Sequence, residues 1–340
     1  MLYTGTRTPS AHTVSAAEAI KEGLSPDGGL YMPMDIPVLT LAEIEVLLTK
    51  SYAARAAYIL GKYLTDYSTE ELREDCSCAY SESRFPGGAA PVRRLNEDVY
   101  LLELWHGPTA AFKDMALQIM PRLLSRALTK TKETRTALIL VATSGDTGKA
   151  ALEGYRDVPG VKIQVLYPVD AQNGVKRIFA DEDTRQALDA HHVFHSSANS
   201  INWGRLAPQI VYYVSAYCDM VKSGAIQLGE PIDICVPTGN FGNIFAAYLA
   251  KRMGLPIERL ICASNENNVL TEFLATGVYD RNRAFHTTMS PSMDILISSN
   301  LERLLYLLFG YEKTSACMRS LADTGRYELT PADLAAVQKT

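Results

Sequence analysis

The sequence predicts an α/β protein built around mostly parallel sheets. Apolar runs of strand length, such as ALILVA at 137–142, alternate with amphipathic segments of helix length from about residue 99 to residue 264. This alternation is typical of parallel strands connected by helices. Two of the junctions between a strand and a helix are rich in glycine, which is typical of ligand sites at the carboxyl ends of parallel strands.

The individual elements are predicted from hydrophobic periodicity and from helix-capping residues. A helix is predicted at 15–24, and residues 40–80 are predicted to be mostly helical, with Ser68 opening the capping sequence S-T-E-E. Pro121 is expected to kink or to end its helix. Beyond a linker rich in Gly and Pro at 84–92, strands are predicted at 99–104, 137–142, 161–168, 231–237 and 259–264, and helices at 115–128, 147–155, 203–222 and 243–253.

Composition and charge exclude several classes of protein. The chain has 340 residues, a hydrophobic content of 47% and a net charge of −5, which suits a soluble globular protein and argues against nucleic-acid binding. No apolar run is long enough to span a bilayer, and the N-terminus lacks a secretory signal pattern. The six cysteines suit neither a metal site nor a disulfide framework, and Cys235 and Cys262 are expected in the core. We therefore expect a cytoplasmic protein that binds no metal ion, does not associate with a membrane and has no obligate protein partner.

Lys113 lies where a strand-like run is followed by the helical pattern that begins FKDMALQ. A lysine amine removed from water is more readily neutral and can form an imine with a carbonyl compound. Trp105 and Phe112 are apolar neighbours that would exclude water from it. Alternatively, Lys113 is a solvated lysine near a helix start, and the local sequence leaves both interpretations open.

Two glycine-rich turns, SGDTG at 144–148 and GNFGN at 239–243, each follow a predicted strand and precede a predicted helix. Glycine lets a backbone approach a ligand closely, and the free N–H groups at a helix start bind anions. Asp146 in the first turn either caps the helix or accepts a hydrogen bond from a ligand hydroxyl. The second turn is neither a Walker A loop nor a dinucleotide fingerprint. An imine-forming lysine together with a phosphate cradle is what a pyridoxal phosphate (PLP) enzyme requires.

Six segments in order carry a resemblance to a known family: SPDGGLYMP, HGPTAAFKDMALQ, ATSGDTGKAA, NSINWGR, PTGNFGN and SPSMDILISSNLERL. From residue 3 to about residue 310, the chain resembles the threonine synthases, which belong to the tryptophan-synthase-β-like, fold type II family of PLP enzymes. The resemblance implies mostly parallel twisted sheets flanked by helices, in two α/β domains with the active site between them. It implies a family-specific N-terminal segment at 1–90, a large PLP-binding domain at 91–125 and 226–340, and a smaller α/β domain at 126–225.

The chain departs from the family pattern in two places. After VLYPVD the family usually has a further strand and helix, whereas here the flanking segments join directly near Asp170 and Ala171, so we expect that residues are missing at this junction. Relatives also continue through a substantial segment beyond the position of Thr340. That segment usually supplies the hydroxyl facing the pyridine nitrogen, and the sequence offers no candidate for it.

The resemblance implies a role for each candidate site residue. Lys113 resembles the Schiff-base lysine, which substrate displaces and which then moves protons at Cα and Cβ. Asp146 stands near the cofactor's 3′-hydroxyl, where relatives often have asparagine. The expected binders of the cofactor phosphate are Gly239, Asn240, Phe241, Gly242 and Asn243. The expected binders of the substrate carboxylate are Thr143, Ser144 and Thr147, and those of the substrate phosphate are Asn199, Ser200 and Arg205.

Four other residues are weaker candidates, and two of them, Asn300 and His106, permit two interpretations each. Ser299 and Asn300 either line the pocket or, in the interpretation we favour for Asn300, cap the following helix. His106 is a general acid or, as we favour, a histidine packed beside Trp105. Lys176 is a weaker candidate than Arg205 for a phosphate partner.

The implied reaction is that of threonine synthase, a PLP-dependent lyase of amino-acid biosynthesis. It converts O-phospho-L-homoserine and water to L-threonine and phosphate by γ-elimination and β-addition of water. The alternatives on the same fold are a threonine-synthase-like phospho-lyase and a serine/threonine dehydratase. A dehydratase substrate carries no phosphate, so Ser200 and Arg205 favour the phosphate-bearing substrate. A catalytically silent protein of the same fold would not need Lys113 and both glycine turns.

Overall fold

The computed structural model describes residues 1–9, 12–142, 145–166, 178 and 181–340. Within these residues, the strands form two parallel sheets and three antiparallel pairs. The strands are β1 (Tyr3–Gly5), β2 (Tyr31–Pro33), β3 (Val92–Arg94), β4 (Tyr100–Leu102), β5 (Thr136–Ala142), β6 (Val161–Leu166), β7 (Val193–Ser196), β8 (Ile232–Pro237), β9 (Ile257–Ala263), β10 (Val278–Asp280) and β11 (Arg326–Glu328).

Helices surround these strands. They are α1 (Ala16–Glu22), α2 (Leu41–Leu47), α3 (Tyr52–Tyr63), α4 (Thr69–Ala79), α5 (Asp114–Leu117), α6 (Met120–Lys130), α7 (Asp146–Tyr155), α8 (Glu182–Ala190), α9 (Trp203–Lys222), α10 (Gly242–Met253), α11 (Val269–Thr276), α12 (Leu301–Thr324) and α13 (Pro331–Gln338), with a short 3₁₀ helix at Pro291–Met293.

The two parallel sheets contain the strands predicted to alternate with helices. β5 is the central strand of the first sheet and pairs in parallel with β6 on one side and β7 on the other. β8 and β9 form the second sheet, with a register irregularity between Ile232 and Ile234. The connections contain α7, α8 and α10, as expected for parallel strands, which cannot be joined by a tight turn.

The strand predicted at 99–104 forms, but its pairing differs from the parallel arrangement expected for the alternating region. β4 pairs antiparallel with β3, and the backbone N–H of Leu95 donates to the carbonyl of Val99 across the short connection. A connection this short cannot reverse into a parallel crossover, so the two strands form a hairpin.

Capping residues determine where several predicted helices begin. Ser68 caps α4 through the backbone N–H of Glu71, and the Glu71 carboxylate accepts from the Ser68 backbone in return. α1 begins with the same reciprocal arrangement at Ser15. Pro121 lies in the first turn of α6, and α5 ends before it, so the predicted boundary is confirmed. Pro suits this position because the first N–H groups of a helix have no intrahelical partner.

The core is centred on α9, which is buried along most of its length. Trp203 at its start is fully buried and lies 5.5 Å, centroid to centroid, from both Tyr3 and Tyr63. The first residues of α9 are therefore held between the N-terminal segment and the sheets. The expectation for Cys235 is wrong: it is exposed, because it lies on the uncovered face of β8, whereas Cys262 is half-buried.

No helix among the described residues is both long and apolar enough to cross a membrane. The same part of the chain contains no cluster of three or more His, Cys, Asp or Glu residues suited to holding a metal ion.

Candidate active site

The candidate active site lies at the carboxyl ends of β5 and β8, one strand from each parallel sheet. Asp146 begins the helix that follows β5, and residues 239–243 form the turn that follows β8. Lys113 enters from the N-terminus of α5 and contacts Asp146 and Ser292. The carboxyl ends of parallel strands are where open α/β sheets bind ligands.

The turn that precedes Lys113 is held by the buried carboxylate of Asp114. One carboxylate oxygen accepts a 2.8 Å hydrogen bond from the backbone N–H of Thr109, and the other accepts a 2.8 Å hydrogen bond from the Thr109 hydroxyl. Gly107 leaves room for the carboxylate, because a Cβ atom there would lie 2.5 Å from Asp114 Cβ. This packing fixes the direction in which the Lys113 side chain leaves the backbone.

Replacing Asp114 by alanine is expected to lower the free energy of unfolding by about 3 kcal/mol, because hydrogen bonds to a buried charged group are lost. The Asp114→Asn variant is the matched control, since its amide can accept from the Thr109 N–H and donate to the Thr109 hydroxyl. Urea denaturation measures both values. Equal losses in the two variants would show that the hydrogen bonds do not hold the turn.

Lys113 is buried, so the alternative of a solvated lysine is wrong. Its side chain is 9% exposed, and its Nζ lies 3.2 Å from Ser292 Oγ and 3.4 Å from Asp146 Oδ2. The Phe112 ring covers the amine, with 5.0 Å between Nζ and the ring centroid. The amine is thus directed at the carboxyl end of β5 rather than at bulk water.

Burial lowers the pKa of Lys113, and the positive charge of Arg205 lowers it further. Asp146 opposes both effects by its charge and its hydrogen bond. The pKa of Asp146 is itself lowered, first by the hydrogen bond from Ser292 and then by the charge of Lys113. The neutral form of this lysine is therefore populated at a lower pH than that of a surface lysine.

Asp146 does not cap α7, so the capping interpretation is wrong. The capping position is occupied by Gly145, and no side chain caps the helix there. Instead, Asp146 Oδ2 accepts a 2.5 Å hydrogen bond from Ser292 Oγ as well as the longer one from Lys113. Its side chain is about half exposed, at 51%, so the carboxylate faces the open side of the site.

The 239–243 turn has the backbone of an anion cradle. Phe241 adopts the left-handed conformation (φ 63°) immediately before α10, which turns the backbone sharply into the helix. A Cβ atom at Gly239 would lie 3.2 Å from Met293 Cα, so a side chain there would require the Met293 backbone to shift. Successive backbone N–H groups in such a turn, together with a helix N-terminus, favour an anion.

Ser298 and Asn300 hold this turn from behind. Ser298 Oγ donates a 2.6 Å hydrogen bond to the carbonyl of Gly239, and Asn300 Nδ2 donates a 3.0 Å hydrogen bond to the carbonyl of Asn240. Asn300 occupies the capping position before α12, as expected, but its side chain makes no capping hydrogen bond there. Its side chain is engaged by Asn240 and, at its oxygen, by Arg303.

Arg205 is a buried cation without a carboxylate partner among the described residues. It is 5% exposed, and its Nη1 donates a 2.9 Å hydrogen bond to the carbonyl of Ala198. Burial lowers its pKa to about 10. Buried charges are normally paired, so this guanidinium has the chemistry of an anion site.

The sequence of this chain is similar to those of known proteins. The family model "Threonine synthase N terminus" matches residues 2–80. Threonine synthase-like 1 of Homo sapiens is 42% identical over 331 residues, which cover 86% of this chain and 44% of that protein. The threonine synthase of Corynebacterium glutamicum is 38% identical over 345 residues, which cover 92% of this chain and 70% of that protein. The chain belongs to the threonine synthase family. It spans less than half the length of the human relative.

The threonine synthase fold extends over the whole chain. The crystal structure of PLP-bound threonine synthase from Brucella melitensis has a TM-score of 0.90 at 35% identity, covering 100% of this chain and 77% of that one. The fold predicted from the sequence is therefore confirmed. The expected division into segments 1–90, 91–125 with 226–340, and 126–225 stays a prediction.

Within this threonine synthase fold, the structure brings some of the predicted site residues together and gives others separate surroundings. Lys113 and Asp146 are in contact, and the charge of Arg205 acts on Lys113. Asn243 Oδ1 instead accepts 2.5 Å hydrogen bonds from the hydroxyls of Tyr212 and Tyr213. The side-chain oxygen of Asn243 is thus engaged away from the turn, and the donors it retains for an anion are its backbone N–H and its side-chain NH₂.

Three further candidates lie beside the starts of α7 and α9. Thr147 is half-buried in the first turn of α7, and Asn199 and Ser200 are half-buried just before α9. Arg303 Nη2 donates a 2.6 Å hydrogen bond to the carbonyl of Ile201 and so holds that last segment in place.

His106 stacks on Trp105, with 5.9 Å between ring centroids, as the packing interpretation expects. Its Nε2 also lies 2.8 Å from a carboxylate oxygen of Glu103. Thr143, Ser144, Lys176 and the junction at 170–171 lie outside the described residues.

Sequence reasoning missed Ser292, although it lies in a segment that carries the family resemblance. The Ser292 hydroxyl contacts both Lys113 and Asp146. The only signal was its position in SPSMD, where the serine between proline and methionine has no evident structural role in the sequence. A lone serine is nevertheless compatible with any turn.

Proposed function

We propose that this chain is a PLP-dependent threonine synthase, which converts O-phospho-L-homoserine and water to L-threonine and phosphate. The observation that carries the proposal is the buried Lys113 amine, which contacts Ser292 in the loop that packs against the Gly239 turn. The charge of Arg205, a buried arginine with no carboxylate partner in the described part of the chain, also acts on this amine. One anion site suits a cofactor phosphate and the other a substrate phosphate. The family supports the same assignment.

The residues present fit PLP. The Lys113 amine would hold the aldehyde carbon, the backbone of residues 239–243 would hold the phosphate, and Asp146 would lie near the ring hydroxyl. The Gly239 position supports this fit, because a side chain there would press on Met293 and Ser292 and separate the turn from the loop that reaches Lys113. When bound, PLP supplies an electron sink for charge that develops on the substrate carbons.

The protein's own residues would bind substrate and move protons. Lys113, as a partly desolvated amine, would accept and return protons at the substrate carbons. Arg205, with Asn199 and Ser200, would bind the phosphate that leaves, since a guanidinium fork matches phosphate geometry. Thr147, with Thr143 and Ser144, would bind the substrate carboxylate at the N-terminus of α7.

The alternatives on the same fold differ in substrate or product. A serine/threonine dehydratase has no phosphate to bind, so the buried charge of Arg205 would remain uncompensated in its complex. A threonine-synthase-like phospho-lyase would release the same phosphate without forming threonine. Because the chain is 42% identical to Threonine synthase-like 1 of Homo sapiens, the test also measures the products of a phospho-lyase.

We further propose that the enzyme acts in the cytoplasm on this small substrate, and that the active site lies between the two α/β domains. The placement of Lys113 between the carboxyl ends of β5 and β8, which belong to separate sheets, supports this division.

The test incubates the purified chain with PLP and O-phospho-L-homoserine and follows phosphate and amino-acid products together. Equal amounts of phosphate and L-threonine are expected. Phosphate with 2-oxobutyrate and no threonine would instead establish a phospho-lyase. Turnover of serine or threonine, without turnover of the phosphorylated substrate, would establish a dehydratase.

A further inference from the structure

Loop 288–294 packs against both halves of the candidate site. At one end, the Ser292 carbonyl oxygen and Met293 Cα would lie 3.5 Å and 3.2 Å from a Cβ atom at Gly239, so the loop backs the glycine turn. At the other, Ser292 Oγ lies 3.2 Å from Lys113 Nζ and donates a 2.5 Å hydrogen bond to Asp146 Oδ2. One short segment therefore contacts the cradle, the amine and the carboxylate.

Asp294 clamps this loop. Its carboxylate accepts hydrogen bonds from the backbone N–H and the hydroxyl of Thr288, at 2.9 and 2.7 Å. It also accepts from Asn265 Nδ2 at 2.7 Å and Asn267 Nδ2 at 3.2 Å. Its partners are all donors, so an ionised carboxylate is the group that satisfies them.

We propose that Ser292 is a positioning residue, which holds the Asp146 carboxylate against the Lys113 amine, and that Asp294 places Ser292 by clamping loop 288–294. The catalytic meaning of this arrangement rests on the proposed function, whereas the arrangement itself does not. The Ser292 hydroxyl suits the task because it accepts from the amine while it donates to the carboxylate.

Among the described residues, charged side chains from α7 and α9 act on Lys113 and Asp146. Lys113 faces Asp146 from α7 and Arg205 from α9. Asp146 faces Lys113 and, from its own helix, Lys149. Asp146 is the negative charge that raises the pKa of the Lys113 amine against burial and Arg205.

Loss of the Ser292 hydroxyl has a defined consequence for the amine. The Asp146 side chain is 51% exposed, so without Ser292 it is free to turn towards water. The amine then loses the charge that favours its protonated form, and its pKa falls further.

The test is competitive labelling of the Lys113 amine in the full chain freed of PLP, using acetic anhydride across a range of pH and mass spectrometry of the peptide. Only the neutral amine reacts, so the pH profile reports its titration. In Ser292→Ala we expect the profile to move to lower pH by about half a unit or more. Ser292→Thr, which keeps the hydroxyl, and Ser223→Ala, at the distant end of α9, are expected to keep the wild-type profile.

A Ser292→Ala profile that is unchanged, or that moves to higher pH, would overturn the proposal. Asp294→Asn provides a second variant that leaves Ser292 intact. It is expected to increase hydrogen exchange in residues 288–294 and to move the Lys113 profile in the same direction. Faster exchange without that movement, or no faster exchange, would overturn the role of Asp294.

The labelling does not require the chain to make threonine. A wild-type chain that fails to release phosphate from O-phospho-L-homoserine would defeat the proposed function and leave the labelling result intact. Conversely, an active enzyme whose Ser292→Ala profile does not move would defeat only the positioning role.

Discussion

Replacement of Lys113 by alanine is expected to abolish threonine formation, lowering kcat by about 10³-fold or more, because the proposed proton carrier and cofactor anchor is removed. The fold is expected to survive. Lys113 is a buried amine whose pKa is lowered by burial, so its removal relieves desolvation rather than breaking a stabilising network. Phosphate release and threonine formation measure the first expectation, and thermal unfolding measures the second.

A covalent test separates loss of chemistry from loss of binding. Borohydride treatment of the wild-type protein with PLP is expected to leave a pyridoxyl group on the peptide that contains Lys113, as seen by mass spectrometry. The Lys113→Ala variant is expected to carry none. Lys222→Ala, at the exposed end of α9, is the control and should be labelled at Lys113 like the wild type. A modified peptide elsewhere in the wild-type protein would contradict the assignment of Lys113.

The secondary structure was predictable where local signals agree. The helix predicted at 203–222 is observed as Trp203–Lys222, because its apolar periodicity and the capping residue Asn202 act within a few residues of each other. The capping sequence at Ser68 is likewise local. Strand pairing is not local. The hairpin of β3 and β4 was not predicted, because a strand's apolar pattern does not state which neighbour it pairs with.

The candidate site was predictable in its backbone and only partly in its side chains. The turn at 239–243 was predictable from two glycines between a strand and a helix, although the left-handed residue is Phe241 and Gly239 serves close packing against Met293. The partners of Asn300 and Asn243 were not predictable, because an asparagine amide serves a cap, a turn or a distant hydroxyl equally well. Ser292 is the extreme case: its partner Asp146 lies 146 residues away in the sequence. The fold, rather than the local sequence, brings these groups together.

Replacement of Arg205 by methionine is expected to raise KM for O-phospho-L-homoserine by about 100-fold, because a charge-assisted contact with the substrate phosphate is lost. Arg205→Lys is expected to lie between this variant and the wild type, since it keeps the charge but not the planar fork. Steady-state kinetics measure both effects. A KM for Arg205→Met equal to that of the wild type would remove Arg205 from the phosphate site.

The same substitution has an unusual expected effect on stability. Burial lowers the pKa of Arg205 to about 10, which corresponds to a cost of about 3 kcal/mol for keeping it charged at neutral pH. Because the folded-state pKa is below the unfolded one, this cost is present at any pH below about 10 and is lost only as the pH rises through the unfolded-state pKa. We therefore expect Arg205→Met, without substrate, to unfold at a temperature no lower than the wild type does.

Arg303 provides the matched comparison, because it is equally buried but fully engaged. It donates hydrogen bonds to the carbonyls of Tyr31 and Ile201 and to the side chain of Asn300. Arg303→Met removes the guanidinium donor from these three acceptors, two of them in buried hydrogen bonds and one in a part-buried one, so a loss of about 3–5 kcal/mol of unfolding free energy is expected. The loss of Arg303 is therefore expected to lower the free energy of unfolding, whereas the loss of Arg205, which we assign to an anion site, is not. Equal destabilisation in the two variants would show that Arg205 is a structural residue.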